Sequence, residues 1–136
     1  MPISEGLKRL AEIIAPTKEA ADRLDREWAP DAPPDTITAA SLARAFAASV
    51  DALSLLKIQA VVDMAEALLK DGDERTQTAI ATGFFEALMA QASAGTLDFR
   101  KIAWALGDES RKYCRAWDTF TGVKTDGLWN GGSRPN

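Results

Sequence analysis

Histidine is missing from all 136 residues. Its absence removes the commonest general base, the commonest metal ligand and every Ser-His or Cys-His pairing at once. Cysteine occurs once, as Cys114, so no internal disulfide can form and no oxidising compartment is required. A zinc site would have to be assembled from one thiolate and carboxylates, a ligand set that zinc sites do not favour. Long apolar runs are lacking too. Arg44 and Asp51 break the Ala-rich stretch, and Glu86 breaks the Phe-rich one, so no segment reaches bilayer-spanning length. The start of the chain lacks the basic region and unbroken apolar core of a signal peptide, Glu12 interrupting it. A cytoplasmic protein that does not engage membranes is expected. No alternating β-branched stretch predicts a strand, and no Gly-rich loop after a strand offers a nucleotide fingerprint.

Basic residues are in short supply, 16 against 20 acidic ones, for a net charge of −4 and a pI near 4.8. A duplex-DNA binder needs a basic face to displace phosphate counterions, so no nucleic-acid partner is expected. The deficit lies in the first half: residues 1–74 sum to −6 and residues 75–136 to +2. Such asymmetry could suit a basic partner, although a solvated surface is the favoured reading.

What is present is helical punctuation. Ser4 caps a helix over about 5–15 carrying Leu7, Leu10, Ile13 and Ile14, stopped by Pro16. Thr17 caps a second over about 18–28, with Ala21, Leu24 and Trp28 on one face. Pro30, Pro33 and Pro34 forbid helix across 29–35. Thr38 or Ser41 opens a third helix, and a fourth runs from about Leu55 to Lys70, ending at Gly72 in a left-handed cap. Asp73 caps a fifth over about 74–93 that is apolar on most sides, as a central bundle helix is. A short sixth follows Asp98, and a seventh covers about 109–120. The spacing therefore predicts one all-α domain over residues 1–130, a bundle of six to seven helices, with a flexible tail at 131–136. The pairs 39–70 and 74–106 have the size of a helical-repeat unit, although no motif recurs between them.

Candidate chemistry is sparse. Asp71-Gly72-Asp73-Glu74 clusters carboxylates without the ligand spacing of a calcium loop, and a turn between capped helices explains it. Cys114 lies among Arg111, Lys112 and Arg115, but it shares a helix face with aromatics and reads as a packed, inert thiol. Glu86 follows Thr82 by one turn, among the small residues Ala79, Gly83 and Ala90. A carboxylate there reads as a tie between helices, the competing reading being an isolated acid. Eight of the ten aromatics fall within residues 84–129. Tyr113, Trp117 and Phe120 are spaced to enter the core together. Trp129, beyond the last helix, either folds back or waits for a partner, folding back being favoured. No catalytic residue, cofactor or metal is expected.

The strings Ala81-Thr82-Gly83-Phe84-Phe85-Glu86-Ala87-Leu88, Ala105-Leu106-Gly107-Asp108-Glu109-Ser110 and Tyr113-Cys114-Arg115-Ala116-Trp117-Asp118-Thr119-Phe120-Thr121-Gly122-Val123-Lys124-Thr125 carry a resemblance. Over about residues 75–129 the chain resembles a family of small all-helical bacterial proteins similar to the immunity proteins encoded beside secreted polymorphic toxins. The N-terminal half shares only the helix pattern. The resemblance implies an antitoxin that binds a cognate toxin domain in the cytoplasm, plugging its active site or holding it inactive from nearby. It carries over no site residue. Exposed acids at helix ends are the expected contacts: Asp71, Asp73 and Glu74 in one turn, Asp108 and Glu109 in another, with Trp129 as an apolar anchor. The alternatives are a helical adaptor without a toxin partner, and a hydrolase using Glu86 or the Asp71–Glu74 turn.

Overall fold

The computed structural model describes residues 3–129, and every element among them is helical. The expected tail, 131–136, lies outside the described residues. In chain order the helices are α1 (Glu5–Ala11), α2 (Ala15–Trp28), α3 (Asp35–Ser49), α4 (Leu55–Asp71), a composite α5 over 74–93, α6 (Arg100–Ala103) and α7 (Asp108–Thr121). A single 3₁₀ turn (Val50–Ala52) follows α3. No described helix is long and apolar enough to cross a membrane.

Helix starts governed by a nearby side chain fall where the residues place them. Ser4 accepts the Leu7 amide at 3.1 Å, Ser54 that of Lys57 at 3.2 Å and Asp73 that of Thr76 at 2.8 Å, each satisfying an amide that the first turn leaves unpaired. Other boundaries differ from expectation. Pro16 does not stop a helix; it sits in the first turn of α2, where a missing N–H costs nothing. Thr17 is therefore not a cap. It is buried, and its hydroxyl donates to the Ala11 and Ile14 carbonyls at 2.7 and 2.9 Å, closing the α1–α2 corner. Helix α3 begins at Asp35, ahead of Thr38 and Ser41, directly after Pro34. Gly72 is extended (φ −68°), not left-handed, and a Cβ there would lie 2.5 Å from the Leu68 carbonyl. Close approach is what requires glycine. Trp28 is 40 % exposed instead of turned inward.

Helix α5 holds the centre, as its all-round apolarity predicts. It is α-helical over Glu74–Thr78 and Glu86–Ser93 but π-helical over Ala79–Phe85, the Glu86 amide reaching the Ala81 carbonyl five residues back. Nothing in the local sequence marks that widened turn. The π segment packs chiefly against α3, with α4 and α7 on its other sides. At the crossing, Gly83 faces Ala39 and the Thr36 carbonyl, both 2.8 Å from where a Cβ would stand. Of the small residues around Glu86, Ala79 and Gly83 line packed faces whereas Ala90 is exposed. Phe84 stacks on Phe46 (6.3 Å, 21°) and meets Phe85 edge-on (5.3 Å, 88°), all three fully buried. One buried apolar cluster runs from Leu7 to Leu128. Helix α3 lies against α2 and α5, so residues 39–70 do not form the hairpin of a repeat unit.

Candidate functional site

The acidic turn after α4 stands on a polar junction of three helices. Asp35 at the start of α3 accepts the Ser4 amide at 3.3 Å and Arg75 Nη2 at 3.0 Å, with Arg75 Nε on its other oxygen. Thr76 Oγ1 donates to Ser4 Oγ at 3.0 Å, both side chains being buried. Asp73 is committed to capping α5. The Thr76 amide above all holds the Asp73 carboxyl below the usual carboxylate range. Asp71 and Glu74 are exposed. Asp73 and Glu74 edge a shallow notch shared with Asp35, Thr36, Arg75 and Thr78.

The second acidic pair opens α7, whose N-cap, Gly107, has no side chain to offer. Glu66 supplies the cap from α4. Its carboxylate accepts the Glu109 amide at 3.1 Å, the Ser110 amide at 2.8 Å and the Ser110 hydroxyl at 2.6 Å. Burial pushes the Glu66 carboxyl up, but the bonds from Ser110 and Glu109 outweigh it and leave it lowered. Gly107 makes room, since a Cβ there would lie 2.4 Å from Glu66 Cδ. Sequence reasoning missed Glu66, because its partners lie 43 and 44 residues away. With the cap made from outside, Asp108 and Glu109 remain exposed.

Along α7 three faces separate. Ser110, Cys114 and Asp118, four apart, form the buried ridge. Tyr113 and Trp117 make a half-buried shoulder, and Glu109, Lys112, Ala116 and Phe120 form an exposed outer stripe. Phe120 thus does not enter the core with Tyr113 and Trp117. It is 81 % exposed and stacks on Trp117 at 5.8 Å and 26°. The ridge is centred on Cys114, from which Phe120 points away by about 120° at helical pitch. Polar Ser110 and Asp118 occupy buried positions because each is hydrogen-bonded, a pattern that hydrophobic spacing alone does not disclose. From Glu109 to Phe120 the outer stripe extends about 16 Å.

Glu86 is the tie between helices that its surroundings predict: it accepts a hydrogen bond from the Tyr113 hydroxyl, joining α5 to α7. Burial, then the Glu86 carboxylate, push the Tyr113 hydroxyl well above its ordinary value. The folded protein therefore holds that proton more tightly than the unfolded chain. Tyr113's contribution is complete below pH 10 and is lost as pH rises beyond it. Tyr113→Phe should cost about 1 kcal/mol near neutrality, and the gap to wild type should narrow above pH 10. Urea melts of both proteins at pH 8 and pH 10.5 measure it; a constant gap would break the assignment.

Cys114 is fully buried, and its thiol is pushed up to about 12 by burial first and the Asp118 charge second. Arg111 and Arg115 turn to the carbonyls of Ala103 (2.9 Å) and Leu128 (3.1 and 3.0 Å), and the Arg111 charge, which pulls the thiol down, is outweighed by burial and Asp118. Trp129 folds back, its indole N–H donating to Asp118 at 2.9 Å under the Arg115 guanidinium, 5.4 Å from the ring. The expected contact residues therefore lie at three places, two of them at opposite ends of α7: the Asp108–Glu109 pair at its start and Trp129 against Asp118 near its end. Among the described residues no group of three or more Cys, Asp or Glu is placed to hold a metal ion.

A family model described as "Domain of unknown function (DUF7674)" matches residues 7–122. The chain belongs to that family. The matched span takes in the N-terminal half and ends on Gly122, the left-handed residue that closes α7. No curated protein and no solved structure matches the chain.

Proposed function

We propose that this family member is a protein-binding module, an immunity protein that captures a cognate toxin domain in the cytoplasm with the outer face of α7. The exposed Phe120 carries the reading. A phenyl ring left 81 % exposed contributes little to the fold, yet stacking on Trp117 fixes its position. A large, pre-positioned aromatic of this kind suits an interface anchor. Exposed Asp108 and Glu109 stand at the other end of the same helix, where unpaired acids would speed encounter with a basic partner. The toxin as partner rests on the resemblance of residues 75–129. A helical adaptor using the same face is the rival.

The test is binding to any toxin domain encoded beside the gene, together with growth protection when the two are co-expressed; a neighbourhood with no such domain would count against the toxin reading. Phe120→Ala should weaken binding by about 30-fold or more, the loss of one hot spot. Its melting temperature should stay at the wild-type value, because an exposed ring is removed. Wild-type protein that neither binds nor protects would discard the toxin reading. Wild-type protection kept undiminished by Phe120→Ala would discard this face.

A further inference from the structure

We propose that residues 123–129 form a latch, a segment bound in cis to a recognition notch on α7 that opens and recloses as a unit while the helices stay folded. Among the described residues, the three bonds to the Asp118 carboxylate come from this segment: the Thr125 amide at 2.7 Å, the Thr125 hydroxyl at 2.8 Å and the Trp129 indole N–H at 2.9 Å. Asp118 itself is 1 % exposed, so its charge was given a place in the core on the strength of these donors. One turn earlier, Arg115 holds the Leu128 carbonyl with two N–H groups, and the fully buried Leu128 side chain fills the space between. The notch thus reads a hydroxyl residue by both its N–H and O–H, an aliphatic side chain three positions on, and the indole beside it.

The rest of the segment is held unevenly: the Val123 amide bonds the Asp118 carbonyl at 3.1 Å, and Gly127 lies close against Arg100, whose Cγ would stand 2.8 Å from an added Cβ. Val123, Lys124 and Asp126 are exposed, and no helix or strand continues through it. Its upstream end is Gly122, at φ +77° with nothing within 4 Å of where a Cβ would stand, an unpacked pivot. The family match also ends there. Anchors gathered on Arg100, Arg115 and Asp118, exposed residues between them and a glycine with no side-chain packing upstream are the features of a segment that opens as one unit below the free energy of global unfolding. Opening would present the buried Leu128 to solvent, free the rest of Trp129, which is already 37 % exposed, and leave the Asp118 carboxylate at the floor of an empty notch.

Native-state hydrogen exchange of the full chain tests it. The amides of Thr125 and Leu128, which bond Asp118 and the Thr125 carbonyl, should exchange at one shared rate, about tenfold or more faster than that of the core residue Phe46. Trp129→Phe removes the indole donor while keeping an aromatic ring. It should accelerate both latch amides severalfold and leave Phe46 unchanged. The proposal is overturned if Thr125 exchanges only as fast as Phe46, or if the variant moves all three amides alike or none.

Discussion

Gly83→Leu should leave the chain unable to fold. At Gly83 the π segment of α5 meets α3 so closely that even a single added Cβ would stand 2.8 Å from both the Ala39 Cβ and the Thr36 carbonyl. Neither is the free end of a flexible side chain, so the strain falls on the helix axes. Gly83→Ala separates two opposed effects. Alanine favours a helix over glycine by about 1 kcal/mol, while overpacking a tight core contact costs about 1–3 kcal/mol. The contact should win, and the alanine variant should melt below wild type. Leucine adds three more carbons at the same spot and should exceed the stability of a small domain. Circular dichroism and urea melts measure both; an alanine variant more stable than wild type would show that α3 can step back.

Removing Phe84 should be nearly as damaging for the opposite reason. Its ring is fully buried, stacked on Phe46 from α3 and edge-on to Phe85, so Phe84→Ala deletes the contact that joins α5 to α3 and leaves a cavity. Truncations of this kind cost about 3–5 kcal/mol. Phe84→Leu, which refills most of the volume, should recover more than half of that loss. Chemical denaturation of the pair gives the comparison. Equal stability for the two variants would mean the site collapses around either one, against the rigid seam that Gly83 implies. These two changes strike the fold, whereas Phe120→Ala strikes the proposed interface alone, so a loss of protection can be assigned to one or the other.

The helical class, the central place of α5 and the caps at Ser4 and Asp73 were legible in the residues. A cap is a contract between residues three positions apart, and an apolar stripe repeats within one turn, so both are written locally. The tie between Glu86 and Tyr113 was legible in part: a carboxylate among small, apolar neighbours calls for a donor, although nothing local names it. For Trp129 the residues favoured folding back over waiting for a partner, but they did not name its acceptor on α7.

What decided the candidate site was contact across the chain. Glu66 caps α7 from 44 residues away, and that long-range bond frees Asp108 and Glu109 to face outward. The direction of Phe120 depends on which residues of α7 are buried. The ridge is set by Ser110 and Asp118, polar groups whose partners come from α4 and from residues 125–129. Hydrophobicity ranks a phenyl ring above a carboxylate for the interior, and periodicity accordingly turns Phe120 inward. A buried carboxylate with three donors in reach overrides that ranking. The π segment was not legible in the residues either; it packs against α3 where Gly83 permits close approach. The residues alone therefore determined that the protein is helical and lacks the side chains for histidine-based chemistry. Which surface it offers was decided only when distant polar partners met.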